Sequence, residues 1–356
     1  MAQTMSAAVL HGAGNLVVQE WRQPELKSGF VLVRVRRAGI CGSDIHYFAH
    51  GRCGAFVPTG PFVLGHEACG EVAAVGANVA EPREGDQVVI NPARACGRCD
   101  HCRGGRGNLC RRTIMLGSAS TTPPTDGALA EYVAVRADQC HIMAAGMDDS
   151  QGAMMEPLAV ALHAVKRAGA VAGRGVLITG GGPIGLLTLA VARACGAVPV
   201  VLTDLVADRR SAALNLGADA VLDPSAPDAN EQAGRLVRDG FDVVFEASGA
   251  PPALRQAIDL ARPGGTIVQI GTLAGGDVPL PANQIMAREL QYIGSFRYGN
   301  VFDEAIRLVQ AGRIDLRPFV SRVWPLRDVE KAIRFAAARE QTIKVQVAID
   351  QDRERA

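Results

Sequence analysis

The chain has 356 residues, of which 48% are hydrophobic and 21% charged, and its formal net charge is +1 at pH 7. This length predicts two domains, and the balanced charge excludes a general attraction to nucleic acid or to an anionic membrane. No run approaches the roughly 18 apolar residues of a membrane span, and the first residues lack the pattern of a signal peptide. We therefore expect a cytoplasmic protein with a small-molecule partner.

Two segments of the N-terminal part carry residue types that bind metals. AGICGSDIHYF (38–48) contains Cys41, and VLGHEACGEV (63–72) contains His66 and Glu67. Cys41, His66 and either Glu67 or a distant carboxylate could give zinc three protein ligands with the fourth position open. Single cysteines and histidines are more often core residues, so this interpretation depends on the rest of the chain.

The segment CGRCDHCRGGRGNLC (96–110) holds four of the nine cysteines. Its spacing, C-x2-C-x2-C-x7-C, lets a short chain wrap four thiolates around one tetrahedral ion, which closes the site to substrate. A structural zinc is therefore predicted in preference to an iron–sulfur cluster or redox thiols, and an odd cysteine count disfavours disulfides. The predicted ligands are Cys96, Cys99, Cys102 and Cys110. Nearby arginines could offset the charge of such a centre or form a solvated rim.

From Gly175 the pattern changes to a strand, a glycine turn and an apolar helix. The turn reads G-x-G-x-x-G, and this motif between a strand and a helix predicts a dinucleotide-binding fold. Its glycines permit a tight turn and let backbone N–H groups approach a pyrophosphate. The predicted cofactor contacts in the turn are Gly180, Gly182, Pro183, Ile184 and Gly185.

The second strand of this half ends at Asp204, 24 residues after Gly180. A carboxylate there can bind the ribose hydroxyls and repels a 2′-phosphate, which predicts NAD as the cofactor. Arg209 and Arg210 follow closely, so NADP remains possible.

Further strands are predicted at 219–223, 241–249 and 265–271, alternating with helices at 208–216 and 252–262. This alternation is typical of a parallel sheet covered on both faces. Ligands bind at the carboxyl ends of such strands. The predicted contacts there are Ser248, Gly271, Thr272 and Leu273.

These motifs occur in an order that resembles a known family. C-G-S-D-x-H, G-H-E, the four-cysteine loop, EPLAVALHA (156–164) and GGGPIG make the sequence similar to zinc-dependent medium-chain dehydrogenases/reductases over nearly its whole length. Within that superfamily it resembles the polyol (sorbitol) dehydrogenase branch. INPARACG, LGSA and GSFRY bring it nearer still to the L-idonate 5-dehydrogenases of that branch.

The resemblance implies two zinc ions per chain, one catalytic and one structural. Cys41 and His66 match the catalytic ligands. In polyol dehydrogenases the position of Glu67 completes the ligands while that of Glu156 holds the metal's water, whereas in alcohol dehydrogenases the Glu156 position is itself a ligand. Which glutamate binds the catalytic zinc is left open.

Other catalytic and substrate positions also follow from the resemblance. Ser43 matches the hydroxyl that passes on the substrate proton, and His46 matches a later relay position. Asp44 is placed to orient a metal-ligating histidine. The positions that match the substrate pocket are Tyr47, Glu156, Arg297 and Tyr298.

Among the residues of the expected substrate pocket, Arg297 matters most but does not decide the substrate. Its guanidinium could grip a sugar-acid carboxylate or hydrogen-bond polyol hydroxyls. The nearer resemblance favours oxidation of L-idonate at C5 to 5-keto-D-gluconate, with a sorbitol or xylitol 2-dehydrogenase as the alternative. The segment LGSASTTPPTDGALAEY (116–132) departs from the family where a pocket-lining loop is expected, and such variation changes specificity.

The implied architecture has a GroES-like β-barrel catalytic domain over 1–150, a doubly wound Rossmann domain over 151–290, and a segment 291–356 that rejoins the first domain. A cleft between the domains would hold nicotinamide against zinc. Relatives are commonly homodimers or homotetramers. A non-catalytic dinucleotide-binding protein should lack Cys41, His66 or Glu67, and a zinc-free quinone reductase should lack the cysteine loop; all of these features are present.

Overall fold

The computed structural model describes residues 3–273, 276–338 and 342–349. The chain divides into two compact units, one formed by residues 1–156, 302–311 and 315–356, the other by residues 157–301 and 312–314. In the part of the chain that is described, no helix is both long enough and apolar enough to cross a membrane.

The N-terminal part of the first unit consists mainly of antiparallel strands. Its elements are β1 (Thr4–Gly12), β2 (Asn15–Arg22), β3 (Phe30–Gly39), α1 (Gly42–His50), β4 (Phe62–Val63), β5 (Glu67–Val75), β6 (Gln87–Ile90), β7 (Ala93–Arg94), α2 (Asp100–Arg103), β8 (Ile114–Met115), β9 (Tyr132–Arg136), β10 (Cys140–Ile142) and α3 (Asp149–Ala153). Strand β3 pairs with β5 along its length and with β9, and Val31, Val33 and Val35 alternate into the core. A small sheet of β2, β1 and β4 completes this part.

The second unit is a parallel sheet with helices between its strands, as predicted. Its elements are α4 (Met155–Ala168, which begins in the first unit), β11 (Val176–Thr179), α5 (Pro183–Ala194), β12 (Val200–Thr203), α6 (Ala207–Asn215), β13 (Ala220–Leu222), α7 (Ala229–Leu236), β14 (Phe241–Glu246), α8 (Pro251–Leu260), β15 (Ala261–Gln269), α9 (Ala282–Ala287) and β16 (Gln291–Gly294). The strand order is β13-β12-β11-β14-β15-β16, and every pair is parallel. The order reverses between β11 and β14, where such sheets bind their ligands. The unit continues to residue 301 rather than ending at 290, because β16 is the edge strand of its sheet.

The tail returns to the first unit through α10 (Phe302–Gln310), β17 (Val320–Pro325), α11 (Val329–Ala338) and β18 (Lys344–Ala348). The sequence RVWPLRDVEKAIRFAAARE (322–340) predicts a strand and then a helix, and the alternation in TIKVQVAI (342–349) predicts a closing strand. All three elements are present, although residues 339–340 of the predicted helix and the last residues, 350–356, lie outside the described residues. Strand β18 pairs with β17 in parallel and with β3 in antiparallel orientation, so Gln346 lies opposite Gly39. Among the described residues this sheet runs in the open order β10-β6-β5-β3-β18-β17.

Candidate metal centres and dinucleotide site

Cys41, His66 and Glu67 lie at the ends of two paired strands. Strands β3 and β5 place Gly39 opposite Glu67, and Cys41 follows as the N-cap residue of α1. One potential ligand atom from each of Cys41, His66 and Glu67 lies within 4.8 Å of the other two. Only glycine fits at position 39, because a Cβ there would lie 2.1 Å from the Glu67 carboxylate. A thiol, an imidazole and a carboxylate in this arrangement fit zinc and leave one coordination position open.

Asp44 holds the backbone on both sides of this cluster. Its carboxylate is fully buried and accepts hydrogen bonds from the N–H groups of Cys41 at 2.8 Å and Gly65 at 3.1 Å. Its Oδ1 lies 3.9 Å from Nδ1 of His66, which is too long for a hydrogen bond. Asp44 therefore fixes the backbone on both sides of the candidate ligands, and its predicted role in orienting His66 stays a prediction.

Several negatively charged groups lie around His66. Burial lowers the pKa of His66, but the charges of Cys41, Asp44 and Glu156 outweigh this and raise it well above its ordinary value. Glu156 is buried as well, with 6% of its surface exposed. Within the described residues its carboxylate is not part of the cluster of ligand atoms, whereas that of Glu67 is. A site with this much negative charge favours a divalent cation.

A buried lysine faces the same carboxylate. Lys344, at the start of β18, contacts both oxygens of Glu67 and donates a hydrogen bond to Oε1 at 2.5 Å. The two side chains are only 4% and 2% exposed. Burial lowers the pKa of Lys344, but the charges of Glu67 and Cys41 raise it above its ordinary value. An ammonium group and a metal ion would therefore compete for Glu67.

Helix α1 carries the other predicted catalytic positions. Ser43 lies in its first turn and is half-buried, while His46 is exposed and its ring lies 5.7 Å from that of His50, one turn further on. Tyr47 is 2% exposed, and its hydroxyl accepts a hydrogen bond from Ala119 N–H at 3.0 Å. This contact ties Tyr47 to the 116–132 loop, and its predicted part in substrate binding stays a prediction.

That loop lies directly beside His66. Gly127 N–H donates to Val63 O at 2.8 Å and Ala128 N–H donates to Gly65 O at 2.9 Å. A Cβ at Gly127 would lie 2.2 Å from Gly65 O, so only glycine permits this approach. The loop whose sequence departs from the family therefore packs next to a candidate metal ligand.

The four cysteines of the 96–110 loop converge. One ligand atom from each lies within 4.8 Å of the others. The sulfur of Cys102 is 3.4 Å from that of Cys99 and 4.0 Å from that of Cys96. A tetrahedral zinc with Zn–S bonds of about 2.3 Å sets its sulfurs about 3.8 Å apart. The separations fit a closed structural zinc site.

The surroundings of the loop favour the thiolate at Cys96 and Cys99, although burial raises the pKa of Cys102 to about 11. Hydrogen bonding from Arg98 N–H, more than any other contact, lowers the pKa of Cys96 to about 6. Arg112 donates its backbone N–H to Cys110 Sγ at 3.3 Å and a guanidinium N–H to Cys96 Sγ at 3.6 Å. Arg111 instead pairs with Asp100 at 3.1 Å. Arg112 thus contacts the cysteines through its side chain as well as its backbone, whereas Arg111 contributes a backbone hydrogen bond, which helps to lower the pKa of Cys99.

The glycine turn has the close approaches that its motif predicts. Gly180 has φ +99°, a conformation that favours glycine. A Cβ at Gly185 would lie 1.8 Å from Gly180 O, whereas nothing lies within 4 Å of a Cβ at Gly182. Gly182 is the N-cap of α5 and Pro183 is its first residue, with Ile184 following. The start of this helix therefore presents N–H groups to an open space suited to an anion.

Asp204 is tied to that turn and to Arg209. Its Oδ2 accepts Gly181 N–H at 2.7 Å, and its Oδ1 accepts Val206 N–H at 2.8 Å. Arg209 Nη1 lies 3.5 Å from Oδ2. Arg210 pairs with Asp223 at 3.1 Å and donates to the backbone oxygen of Asp204 at 2.7 Å, not to its carboxylate. Asp204 is thus held in place, and one of the two predicted arginines partly offsets its charge.

A cavity of about 460 Å³ brings several predicted cofactor residues together. Gly180, Asp204, Arg209 and Ser248 all line it. The volume is within the range of small-molecule sites. The other predicted contacts, Gly271, Thr272 and Leu273, lie just after the end of β15. Gly271 and Thr272 pack closely against Gly249, where a Cβ on either glycine would clash with backbone atoms. Leu273 packs on the hydrophobic core of this unit.

The segment that carries Arg297 and Tyr298 has an unusual backbone. Arg297 has φ +52°, and its guanidinium lies over the ring of Phe296 at 4.9 Å. Tyr298 is 4% exposed. Gly299 N–H donates to His163 Nδ1 at 3.3 Å, so a histidine of α4 supports the turn that follows both residues.

Sequence reasoning did not identify Lys344, His163 or the buried Glu246 at the end of β14. Lys344 and His163 act on predicted segments from distant places in the chain: Lys344 is 277 residues from Glu67, and His163 is 136 residues from Gly299. For Glu246 a signal existed, since a carboxylate that ends a buried strand needs partners.

Two sequence families match the chain. The alcohol dehydrogenase GroES-like domain matches residues 27–145, and the zinc-binding dehydrogenase family matches residues 183–311. With the site geometry, these matches define a zinc-binding dehydrogenase. Sorbitol dehydrogenase of Bacillus subtilis (strain 168) is 36% identical over 335 residues, which is 94% of each sequence. The chain therefore belongs to the zinc-dependent medium-chain dehydrogenase/reductase family, in its polyol dehydrogenase branch.

Solved structures agree with this assignment. L-idonate 5-dehydrogenase from Escherichia coli K-12 superposes with a TM-score of 0.92 at 34% identity, over 98% of this chain and 99% of that one. A zinc-binding dehydrogenase from Sinorhizobium meliloti 1021 bound to NADP has a TM-score of 0.90 at 39% identity, over 98% and 100%. The predicted combination of a GroES-like unit and a doubly wound parallel sheet is confirmed.

Proposed function

We propose that this protein oxidises a secondary alcohol of a polyol or sugar acid, with NAD as the cofactor, and that L-idonate is its preferred substrate and 5-keto-D-gluconate its product. The observation that carries the dehydrogenase proposal is the cluster of Cys41, His66 and Glu67, which offers zinc three ligands in a chain that also holds Asp204 beside a glycine turn. We propose a second, structural zinc at the four cysteines of the 96–110 loop.

When bound, zinc at the first cluster would supply a Lewis acid for the substrate oxygen, and the nicotinamide would accept a hydride. The chain's own groups would handle the proton. Ser43 Oγ, in the first turn of α1, takes the alcohol proton as it gives up its own. His46, which is exposed one turn further along α1, passes the proton released by Ser43 to solvent.

The choice of sugar acid rests on Arg297 and on one structural relative. Arg297 is held in a left-handed conformation, and a guanidinium can bind a carboxylate through two hydrogen bonds. The relative named L-idonate 5-dehydrogenase covers almost the whole chain. The second candidate is a polyol 2-dehydrogenase, which the similarity to sorbitol dehydrogenase favours. For the cofactor, the NADP-bound relative and Arg209 support some use of NADP beside NAD.

The test is the kcat/KM of the zinc-loaded enzyme with L-idonate, D-gluconate, sorbitol and xylitol, each with NAD and with NADP. We expect L-idonate with NAD to lead by at least about tenfold, or about 1.4 kcal/mol. Arg297→Ala should then lower kcat/KM for L-idonate far more than for sorbitol, whereas Arg235→Ala, an exposed arginine paired with Glu231 on α7, should change neither.

A neutral polyol that leads the series would overturn the sugar-acid proposal and leave the zinc and NAD chemistry in place. Turnover of none of these alcohols, together with intact NADH binding, would favour a non-catalytic dinucleotide-binding protein. We further propose a homodimer or homotetramer, which the molar mass measured by light scattering would test.

A further inference from the structure

The carboxylate of Glu246 accepts hydrogen bonds from residues at the ends of three strands of the second unit. It is the last residue of β14 and is fully buried. Its Oε1 accepts the N–H groups of Ser248 at 2.8 Å and Gly249 at 2.9 Å, the hydroxyl of Ser248, and more distantly the hydroxyl of Thr179 at 3.5 Å. Its Oε2 accepts Gln269 Nε2–H at 2.5 Å. One carboxylate thus joins the carboxyl ends of β11, β14 and β15.

The turns that follow these strands are also packed against one another. A Cβ at Gly180 would lie 2.8 Å from the backbone of Ser248, and one at Gly249 would lie 2.5 Å from Thr272 O. A Cβ at Gly271 would lie 2.3 Å from Gly249 N and 2.8 Å from the Glu246 carboxylate. Because the turns touch backbone to backbone, a displacement of one displaces the others.

We infer that Glu246 is a positioning residue for the dinucleotide: its buried carboxylate fixes the glycine turn, the 248–249 turn and the 271–272 turn in the arrangement that binds the cofactor. The inference rests on the proposed NAD-dependent function. It also assigns the Ser248 hydroxyl a structural role, because that hydroxyl donates to Glu246 and accepts Ala250 N–H at 3.1 Å.

The carboxylate cannot be replaced by an amide of the same shape. A glutamine at position 246 would point an NH₂ group either at the N–H groups of Ser248 and Gly249 or at the Gln269 amide. Gln269 cannot easily rotate to meet it, because its Nε2 also donates to Gly271 O at 2.6 Å and its Oε1 accepts the Tyr292 hydroxyl at 3.1 Å. In either orientation buried donors face each other, which is destabilising for that arrangement of the turns.

The experiment measures NADH binding to the zinc-loaded, full-length enzyme by fluorescence titration, together with KM for NAD and for the alcohol. We expect Glu246→Gln to raise the NADH Kd and the KM for NAD at least about tenfold, while the KM for the alcohol stays within about twofold. The matched control is Asp242→Asn, at the other end of β14. Asp242 accepts Gly175 N–H at 2.8 Å and pairs with Arg262 at 2.9 Å, so its loss should lower the melting temperature and leave the NADH Kd unchanged.

A Glu246→Gln enzyme that binds NADH as tightly as the wild type overturns the inference. So does an Asp242→Asn enzyme that loses as much affinity, because the effect would then be one of general stability. If Glu246→Gln does not fold, Glu246→Asp is the deciding variant. It keeps the negative charge, but its side chain is one methylene shorter and so places the carboxylate further from the three turns. An NADH Kd that rises less than about threefold in this variant contradicts the inference. A wild-type enzyme that binds neither NADH nor NADPH would overturn the proposed function as well, before any variant is made.

Discussion

Lys344 and Glu67 form a buried ion pair across 277 residues of sequence, and Glu67 belongs to the cluster that fits a catalytic zinc. The ammonium group contacts and neutralises a carboxylate that is only 2% exposed. A zinc ion at the cluster would offer the same carboxylate a second positive partner. Lys344 therefore stabilises the metal-free site and would compete with a zinc ion for Glu67.

Lys344→Met should separate these two effects. Without zinc, the variant should unfold at a lower temperature than the wild type, because breaking a buried pair by removing one partner costs about 3–5 kcal/mol. With zinc, the ion replaces the lysine as the partner of Glu67. We therefore expect zinc to raise the melting temperature of the variant by more than it raises that of the wild type, measured on chelator-treated and zinc-reconstituted protein.

Lys331→Met is the control for this prediction. Lys331 is 72% exposed and pairs with Asp328 at 2.7 Å on the surface, so its loss should leave the zinc-dependent shift unchanged. A Lys344→Met protein that zinc stabilises no more than the wild type would show that Lys344 and zinc do not share Glu67.

The four-cysteine loop should hold one metal ion independently of the catalytic cluster. Cys102→Ser removes one of four converging sulfurs, so we expect the zinc content measured by mass spectrometry to fall from about two to about one per chain. The melting temperature should fall with it. Cys195→Ser, at an exposed cysteine after α5, should retain the wild-type metal content. A Cys102→Ser protein that still binds both ions would contradict the assignment of these ligands.

Asp204 and Arg209 should set the preference between NAD and NADP. Asp204→Asn removes the charge that repels a 2′-phosphate and releases Arg209 from a contact of 3.5 Å, so the ratio of kcat/KM for NADP to that for NAD should rise at least about tenfold. Arg209→Gln should lower the same ratio.

For comparison, Arg193→Gln disrupts an ion pair with Asp219 on the same unit and should leave the cofactor ratio unchanged. If neither Asp204→Asn nor Arg209→Gln alters the ratio of kcat/KM for NADP to that for NAD, other residues determine the cofactor preference.

His163 should make stability fall in mild acid. Burial, helped by the charges of Arg167 and Lys166, holds the pKa of His163 below its ordinary value. The unfolded chain then takes up this proton at a higher pH than the folded chain, so stability is complete above about pH 6.5 and is lost as the pH falls towards the folded pKa. Protonation of Nδ1 also removes the acceptor of Gly299 N–H.

We expect the urea midpoint of the wild type to fall more between pH 7 and 5.5 than that of His163→Asn, whose amide oxygen can accept the same hydrogen bond but does not titrate. In the control His11→Asn, which replaces an exposed histidine of β1, the urea midpoint should fall between pH 7 and 5.5 by as much as in the wild type. If the urea midpoint falls equally in the wild type and in His163→Asn, His163 is not the cause of the loss of stability in mild acid.

Local patterns predicted the second unit well. The predicted strands at 219–223 and 265–271 correspond to Ala220–Leu222 and Ala261–Gln269, because a buried parallel strand is an apolar run bounded by turn residues. Asp204 could be placed because both its strand and the glycine turn are local motifs at a known spacing. The sequence alone therefore describes a unit whose contacts are made between neighbouring elements.

Long-range partners could not be predicted in this way. The alternation in residues 342–349 indicates a strand, but it does not tell that Lys344 meets Glu67 or that Gln346 donates to Ser150 O at 2.8 Å. The same holds for Tyr47. Its position in a motif suggests a place in the substrate pocket, but the motif does not predict that its hydroxyl accepts a hydrogen bond from Ala119 N–H in the 116–132 loop. These facts depend on the register of strands and loops that are far apart in the chain.

The pairing of β18 with β3 also sets an order of events during synthesis on the ribosome. Cys41, His66 and Glu67 emerge early, and Lys344 emerges 277 residues after Glu67. At translation rates of about 5–20 residues per second, that delay is on the order of tens of seconds. During that delay the nascent chain contains the three proposed zinc ligands but not yet Lys344, so zinc would meet Glu67 before the competing ammonium group has been synthesised.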